Sequence, residues 1–422
     1  MSASLAPPIP ENAVPPCGQC PKKLAWSSIY GSLPAVRTVH NLDLDVTEAC
    51  NLACIYCFKW QKKPVHMDEA TAKSAIDWLF EASGGFREEM KVNFMGGEPL
   101  LRFDLIRKIV PYGKMRARQR GQSLHFGCTT NCTHLTDELM DFWRRFGMGF
   151  HCSIDGIPEV QNHNRPFLGG GPSSGAVEKN APRILAYRPE VMARATVSPY
   201  SAPTLLASAK CLSELGFKSM TFKAAVNCAW DESDFAVLRS QYERLGDLYI
   251  ARLVARNPVN IEEFKKGLQS IHSLEGTSHV PCGAGRGVVL VDPRGDLWPC
   301  HRFGPHQCAG QFTLGKFGTP FNDRLRDAFL RYNVVQDAKP DCRNCRAALS
   351  CRTWCYAECV DSTKTFYDPG REYCQAVQIL HEEVLHIHDE LRSRHPEILR
   401  SLVNGSRNGN PSSGERRGRG VL

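Results

Sequence analysis

From residue 40 the chain alternates between two hydrophobic rhythms. "HNLDLDV" (40–46) sets apolar residues at every second position, the period of a strand with one buried face. "MDEATAKSAIDWLFEAS" (67–83) then puts Ala72, Ile76, Leu79 and Phe80 on one helical face, with Asp68 as the N-cap. The alternation continues with strands at 91–95, 124–130, 147–154, 191–198 and 218–226. Between them the 3.6-residue period returns at 102–119, where Pro111 predicts a kink, at 136–146, at 175–187, where Pro182 predicts an interruption, and at 204–216. Six strands alternating with helices predict an α/β fold with a parallel sheet. The pattern alone fits an open sheet, a partial barrel or part of a full (β/α)8 barrel.

The flanks read differently. Residues 1–40 are Pro-rich and form an irregular arm; 231–275 read as a helical bridge; 376–393 read as a closing helix, overlapping a C-terminal helical unit at 381–402. Residues 403–422 have the composition of a disordered tail. This divides the chain into 41–230, a first catalytic-type unit, and 276–380, a small cysteine-rich unit.

Composition narrows the classes. Hydrophobic residues are 42% and charged residues 23%, ordinary for a soluble globular chain. There is no apolar run long enough for a membrane span and no secretory signal, so the expected compartment is the cytoplasm, with no membrane partner. The net charge of +8 lies partly in the tail "GERRGRGVL", and no nucleic-acid-binding motif accompanies it, so no nucleic-acid partner is expected. The 19 cysteines change the picture more. In a reducing compartment they point to metal or redox chemistry rather than disulfides. Eleven of them form two groups: Cys50, Cys54 and Cys57, and then Cys282, Cys300, Cys342, Cys345, Cys351, Cys355, Cys359 and Cys374. Cys17 and Cys20 read as unpaired thiols in the arm, and Cys211 and Cys228 as buried small apolar residues. Met67, Met90, Met95 and Met115 read as core or loop filling, and His381, His386 and His388 as surface.

Four unusual stretches fall at predicted strand C-termini, the edge that carries chemistry in parallel α/β folds: the first cysteine group, "MGGEP" (95–99), "TTN" (129–131) and "SIDG" (153–156). Three thiolates are one short of the usual four for a 4Fe-4S cluster, so one iron stays open to a small molecule. Structural zinc sites are closed by four ligands, commonly in CxxC pairs, and C-x3-C-x2-C is poor zinc spacing.

"EACNLACIYCFKW" (48–60) followed by "GGEP" resembles the signature of radical S-adenosylmethionine (radical SAM) enzymes. The resemblance implies a partial (β/α)6 TIM-type barrel. It implies a 4Fe-4S cluster on Cys50, Cys54 and Cys57 whose open iron is chelated by S-adenosylmethionine. Gly96, Gly97 and Glu98 would read the SAM amine, and Tyr56, before the last cysteine, joins the cofactor-binding set. "SIDGIPEVQNHNRP" is similar to a further family segment, by which Ser153 would touch SAM, Asp155 would shape the strand-end loop and Arg165 would contact a carboxylate. "TTNCTHL" resembles the family's Thr-Asn-Gly-Thr-Leu turn, but Cys132 replaces the glycine, which argues against a positive-φ turn there.

The second group resembles the SPASM extension of radical SAM peptide-modifying enzymes, which carries two auxiliary 4Fe-4S clusters. By that resemblance Cys342, Cys345, Cys351 and Cys374 would hold one and Cys282, Cys300 and Cys355 the other, with Cys308, Cys359, His301 or a substrate atom open as the fourth ligand of the latter. Two zinc sites are the alternative for this region. The implied activity is reductive SAM cleavage, with an external donor of flavodoxin or ferredoxin type, and hydrogen abstraction from a residue of a peptide or protein. In the sulfatase maturases of the family an Asp directly follows the cysteine of the "PC" segment as base. Here "WPCHRF" has His301, a candidate catalytic residue. That favours thioether or carbon–carbon crosslinking of a ribosomally made peptide over formylglycine formation. A non-catalytic iron–sulfur or zinc protein is the reading of another class.

Overall fold

The computed structural model describes residues 38–59, 62–84, 89–226, 228–272, 282–304, 312–319, 321–331, 345, 347, 351, 355–363 and 368–404. Nearly all of the N-terminal arm with Cys17 and Cys20, together with Cys308, Cys342 and the tail from 405, lies outside the described residues.

Ten strands form one sheet: β1 (Asn41–Thr47), β2 (Met90–Gly96), β3 (Leu124–Thr130), β4 (Gly149–Ser153), β5 (Met192–Val197), β6 (Ser219–Ala224), β7 (Asn260–Ile261), β8 (Val288–Val291), β9 (Asp296–Trp298) and β10 (Gly315–Lys316). The order is β10-β9-β8-β1-β2-β3-β4-β5-β6-β7. β1 to β7 are parallel and run in chain order, so the fold is a partial, unclosed barrel of the α/β class, as expected. β8 adds in parallel to the other side of β1, with Asn41 opposite Val288, and β9 and β10 follow antiparallel. The cysteine-rich segment therefore extends the barrel's own sheet.

The helices are α1 (Glu69–Ala82), α2 (Phe103–Gln119), α3 (Asp137–Phe146), α4 (Pro158–Asn164), α5 (Ser174–Tyr187), α6 (Leu205–Glu214), α7 (Glu232–Val254), α8 (Glu262–His272), α9 (Asp323–Arg331), α10 (Tyr356–Thr363), α11 (Arg371–Arg394) and α12 (Pro396–Asn404). Asp68 caps α1 by accepting from Thr71 N, as its position predicts. α2 passes through Pro111 as one helix. α5 is likewise continuous, which corrects the interruption expected at Pro182: burial of Val177, Ala181, Ile184 and Leu185 along one face offsets the lost amide bond.

Period-two burial explains the layers. Leu42, Leu44 and Val46, with Val92, Phe94, Phe126, Cys128, Phe150 and Cys152, join Ile76, Leu79, Ile106, Ile109 and Trp143 in one core. Each large side chain buried this way contributes about 1.5–3 kcal/mol. The alternate positions are polar and form the inner face: Asp43, Asp45, Asn93, Thr129, His151, Ser153, Arg194, Thr196 and Lys223.

Some bland expectations need correction. His381 and His388 are buried rather than on the surface; His388 Nε2 lies 3.1 Å from His272 Nε2 because α11 packs on α8, while His386 is exposed as expected. Cys211 and Cys228 are half-buried, on the solvent side of α6 and in the loop after β6. Met115 is exposed on α2.

Candidate active site

β1 runs directly into the cysteine loop, and the loop's backbone is fastened on three sides. Glu48 N donates to Val65 O (2.9 Å) on the returning chain. Ala53 N donates to Pro166 O (2.8 Å) and Ile55 N to Asn164 O (3.0 Å), while Leu168 N donates back to Asn51 O (2.8 Å). Asn131 Nδ2, at the end of β3, donates to Asn51 Oδ1 (2.9 Å). The loop holding Cys50, Cys54 and Cys57 thus spans the ends of β1, β3 and β4.

Side chains lock it further. Tyr56 OH donates to Asp155 Oδ2, and the Arg165 guanidinium lies over the Tyr56 ring, 5.3 Å from its centroid, while pairing with Asp155 at 3.0 Å. Asp155 also accepts from Thr196 N (3.0 Å) and Asn164 Nδ2 (3.2 Å), so one buried carboxylate ties the cysteine loop to β4, β5 and α4. Lys59 forms a buried ion pair with Asp45 of β1. Arg165, expected at a carboxylate, is on a protein one; Asp155 shapes the loop as expected. Ser153 closes β4 on the inner face, half-buried.

The glycines of "MGGEP" let two backbone segments meet. A Cβ on Gly96 would stand 2.2 Å from Thr47 O, and one on Gly97 would stand 2.2 Å from Ala49 O. They let β2's end press against the backbone leading into Cys50, with Gly97 N on Thr47 O (2.8 Å) and Glu98 N on Ala49 O (2.9 Å). Glu98 is fully buried behind them. Oε1 accepts from Thr130 Oγ1 (2.8 Å) and Leu100 N (3.1 Å), and Oε2 accepts from Asn131 N (2.8 Å). Burial pushes its pKa up to about 7, with those three bonds opposing. No cation among the described residues forms an ion pair with it. A carboxylate has about four acceptor positions, so a position on Oε2 remains for an ammonium group. The turn after β3 corrects the expectation for Cys132: its φ is +62°, held by Cys132 N on Thr130 Oγ1 (3.1 Å) and Asn180 Nδ2 on Cys132 O (2.9 Å).

The donor set fits a cluster with thiolate ligands. Burial pushes Cys50 up to about 11 and raises Cys54, while Arg165 and Lys62 pull Cys54 back. Iron binding would displace those protons, and the two cations stand where thiolate charge would form. Among the described residues no three His, Cys, Asp or Glu side chains close on a single-ion point. In an iron–sulfur cluster each iron takes its own thiolate, so its ligands need not converge in that way.

In the second group, Cys282, Cys300 and Cys355 act on one another electrostatically, and burial raises all three. Cys359 N donates to Cys355 O (3.0 Å), and the Cys359 thiol is fully buried beside Cys355 and Cys351. Cys374 sits in the first turn of α11, one turn from Gln378, whose Nε2 is 3.9 Å from Cys345 Sγ.

The two groups meet at Phe58. His301 stacks obliquely on its ring (5.9 Å) and Arg302 lies over it (4.8 Å). His301 Nδ1 is 3.0 Å from Asp43 Oδ2 of β1, and Arg294 pairs with Glu48 at 2.7 Å. Sequence reasoning missed Asp43, Asp45, Phe58 and Lys59. In "HNLDLDV" the two aspartates read simply as the polar half of the alternation, and that alternation is the signal that puts them on the inner face.

Comparison with known proteins follows this geometry. Residues 44–197 match the Radical SAM superfamily. An uncharacterized protein of Methanocaldococcus jannaschii is 33% identical over 187 residues, 44% of this chain and 63% of that protein, so the chain spans less than two thirds of that relative's length. The serine-type anaerobic sulfatase-maturating enzyme of Klebsiella aerogenes is 23% identical over 335 residues, 75% of this chain and 80% of the enzyme. Among solved structures, anSMEcpe with bound AdoMet aligns with a TM-score of 0.71 at 18% identity, covering 87% of this chain and 98% of that one. Streptococcus suis SuiB bound to precursor peptide SuiA aligns at 0.57 and 14% identity, covering 83% of this chain and 79% of that one. At these identities the structural likeness shows the fold. Among the described residues no helix is long and apolar enough to cross a membrane.

Proposed function

We propose that this radical SAM enzyme modifies a residue of a peptide or protein, forming a thioether or carbon–carbon crosslink in a ribosomally made peptide. A 4Fe-4S cluster with S-adenosylmethionine supplies, when bound, one-electron cleavage of the sulfonium and a carbon radical able to take hydrogen from an unactivated carbon. The chain's own residues hold and orient. Cys50, Cys54 and Cys57 are the proposed cluster ligands, and Tyr56, Asp155 and Arg165 keep their loop in register with β4. Glu98 receives the SAM ammonium, with Gly96 and Gly97 setting its depth, and Ser153 faces the cofactor.

Cys342, Cys345, Cys351 and Cys374, and Cys282, Cys300 and Cys355, are the proposed ligands of two auxiliary clusters that accept the electron released when product forms. An external flavodoxin- or ferredoxin-type protein is the proposed donor. His301, with Nδ1 engaged by Asp43, keeps Nε2 for a substrate proton. The observation that carries the reading is the joint at Phe58, where the segment with Cys300 meets the loop with Cys57, so that a substrate on the inner face is reached from both. The relatives named for sulfatase maturation favour a second reading, formylglycine formation, which the His301 position argues against.

The test is iron, sulfide and zinc per chain on anaerobically reconstituted protein, then SAM with dithionite. About twelve irons and 5′-deoxyadenosine support three clusters and a working enzyme. Zinc in place of iron, with SAM uncleaved, overturns the reading.

A further inference from the structure

The inner face carries a charge pattern that cofactor binding does not use. Arg194 sits in β5 between Ala193 and Ala195, which face the helices, and register sets it opposite Ser153 of β4 and Thr221 of β6. Lys223, two residues along β6, is opposite Thr196. The two cations are diagonal neighbours on one face, a spacing that long side chains bridge.

Among the described residues neither side chain makes a hydrogen bond or ion pair. The carboxylates around them are engaged elsewhere: Asp43 with His301 (3.0 Å), Glu263 with Thr221 and with Phe222 N (3.2 Å), and Glu358 with Arg302 (3.8 Å). Water reaches Arg194, yet the surrounding protein is dense enough that desolvation pulls its pKa below the ordinary value, against the pull of Glu263 and Asp43. With no partner among the described residues, the guanidinium on this face is open to a bound anion. His151, also acting on Arg194, has its pKa lowered by burial and stays neutral at pH 7, so it adds no competing charge.

The ligand's chemistry follows. A guanidinium fork suits a carboxylate or a phosphate. With Asp43, Glu263 and Glu358 nearby, a dianion meets more repulsion than a monoanion, which selects the carboxylate. Lys223 acts on Glu358, three residues after Cys355, so the pair extends from Ser153 toward the second cysteine group, across the ground a substrate would occupy.

We propose that Arg194 and Lys223 form a carboxylate-binding subsite for the substrate, so that the peptide carries an Asp, a Glu or its own C-terminal carboxylate beside the reacting residue. The proposal rests on the peptide-modifying reading above.

The test uses the anaerobically reconstituted full chain saturated with SAM. Binding of acetyl-Gly-Glu-Gly-amide and acetyl-Gly-Gln-Gly-amide is compared by saturation-transfer NMR titration. A charged, forked contact predicts about tenfold tighter binding of the Glu peptide. That preference should vanish in Arg194→Gln, shrink in Lys223→Met and partly return in Arg194→Lys, with SAM affinity little changed in each. Equal binding of the two peptides to wild type, or a preference that survives Arg194→Gln, overturns the subsite. A loss of SAM affinity in Arg194→Gln with the peptide preference intact also overturns it, by assigning the guanidinium to SAM's own carboxylate. Wild type that cleaves SAM without peptide preference rejects the subsite alone; wild type without iron or SAM cleavage rejects the reading beneath it.

Discussion

Glu98 gives the sharpest prediction, because its burial and its proposed ligand pull its proton in opposite directions. In the free protein its pKa is about 7 against an ordinary 4.5, so roughly half of the molecules carry a neutral carboxyl at pH 7. An ammonium ligand takes only the ionised form, so binding releases a proton and tightens as pH rises. From pH 6 to pH 7 the ionised fraction climbs from about one tenth to about one half, while an α-ammonium stays mostly charged. The SAM dissociation constant should therefore fall about fivefold over that interval. Glu98→Gln keeps the acceptor for Thr130 and Leu100 but removes the charge. A charge-assisted hydrogen bond contributes about 2 kcal/mol, or about thirtyfold for a fully ionised Glu98, so with half of it ionised at pH 7 affinity there should drop about fifteenfold and lose its slope between pH 6 and 7. Anaerobic isothermal titration of the reconstituted holoenzyme reads both quantities. An unchanged slope in Glu98→Gln, with iron content intact, refutes the ammonium contact. The linkage also sets a stability trend. Because the folded pKa is raised, the stabilisation is fully present below pH 4.5 and is lost as pH rises through about 7, a change of about 3 kcal/mol in protein without SAM.

Gly97→Ala forces a Cβ against Ala49 O and should displace the cysteine loop; iron analysis should show about four of about twelve irons lost, and full iron would contradict the packing argument. Tyr56→Phe deletes the bond to Asp155 while leaving the ring under Arg165. It should cost about 1 kcal/mol and speed cluster loss to a chelator followed by absorbance, and an unchanged rate would show the clasp to be idle. Asp43→Asn leaves His301 Nδ1 without its carboxylate partner and should slow peptide-product formation while SAM binding is kept; an unchanged product rate would remove His301 from the proton-transfer role. Cys50→Ala should abolish SAM cleavage while auxiliary iron, measured as about eight per chain, remains.

Much of this site was legible in the chain because its parts are local. C-x3-C-x2-C and "GGEP" lie at strand ends that period-two alternation already located, and Asp68 announces a helix start. What stayed hidden depends on distant segments. Nothing near Phe58 indicates that His301 and Arg302 will cover it, and nothing in "TVSPY" indicates that Thr196 N will reach Asp155. The two-residue β7 falls below any periodicity, and β8 lies outside the six strands the alternation predicts. Cys132 misled for a separate reason: the penalty for positive φ is real, but Thr130 and Asn180 fix that turn from both sides.

The pairing of β8 with β1 has a consequence for how the chain is made. Asn41 emerges from the ribosome long before its partner Val288. At ordinary elongation rates the interval is roughly 10 to 50 seconds. Throughout it β1 is an open edge whose amides and carbonyls face no neighbour on one side, while the loop with Cys50, Cys54 and Cys57 hangs from its end. Nascent-chain protection is therefore needed on that edge, and the loop cannot acquire its final cover of His301 and Arg302 until synthesis has passed the second cysteine-bearing segment's start. The order of translation leaves that cysteine loop open while the chain grows and covers it afterwards.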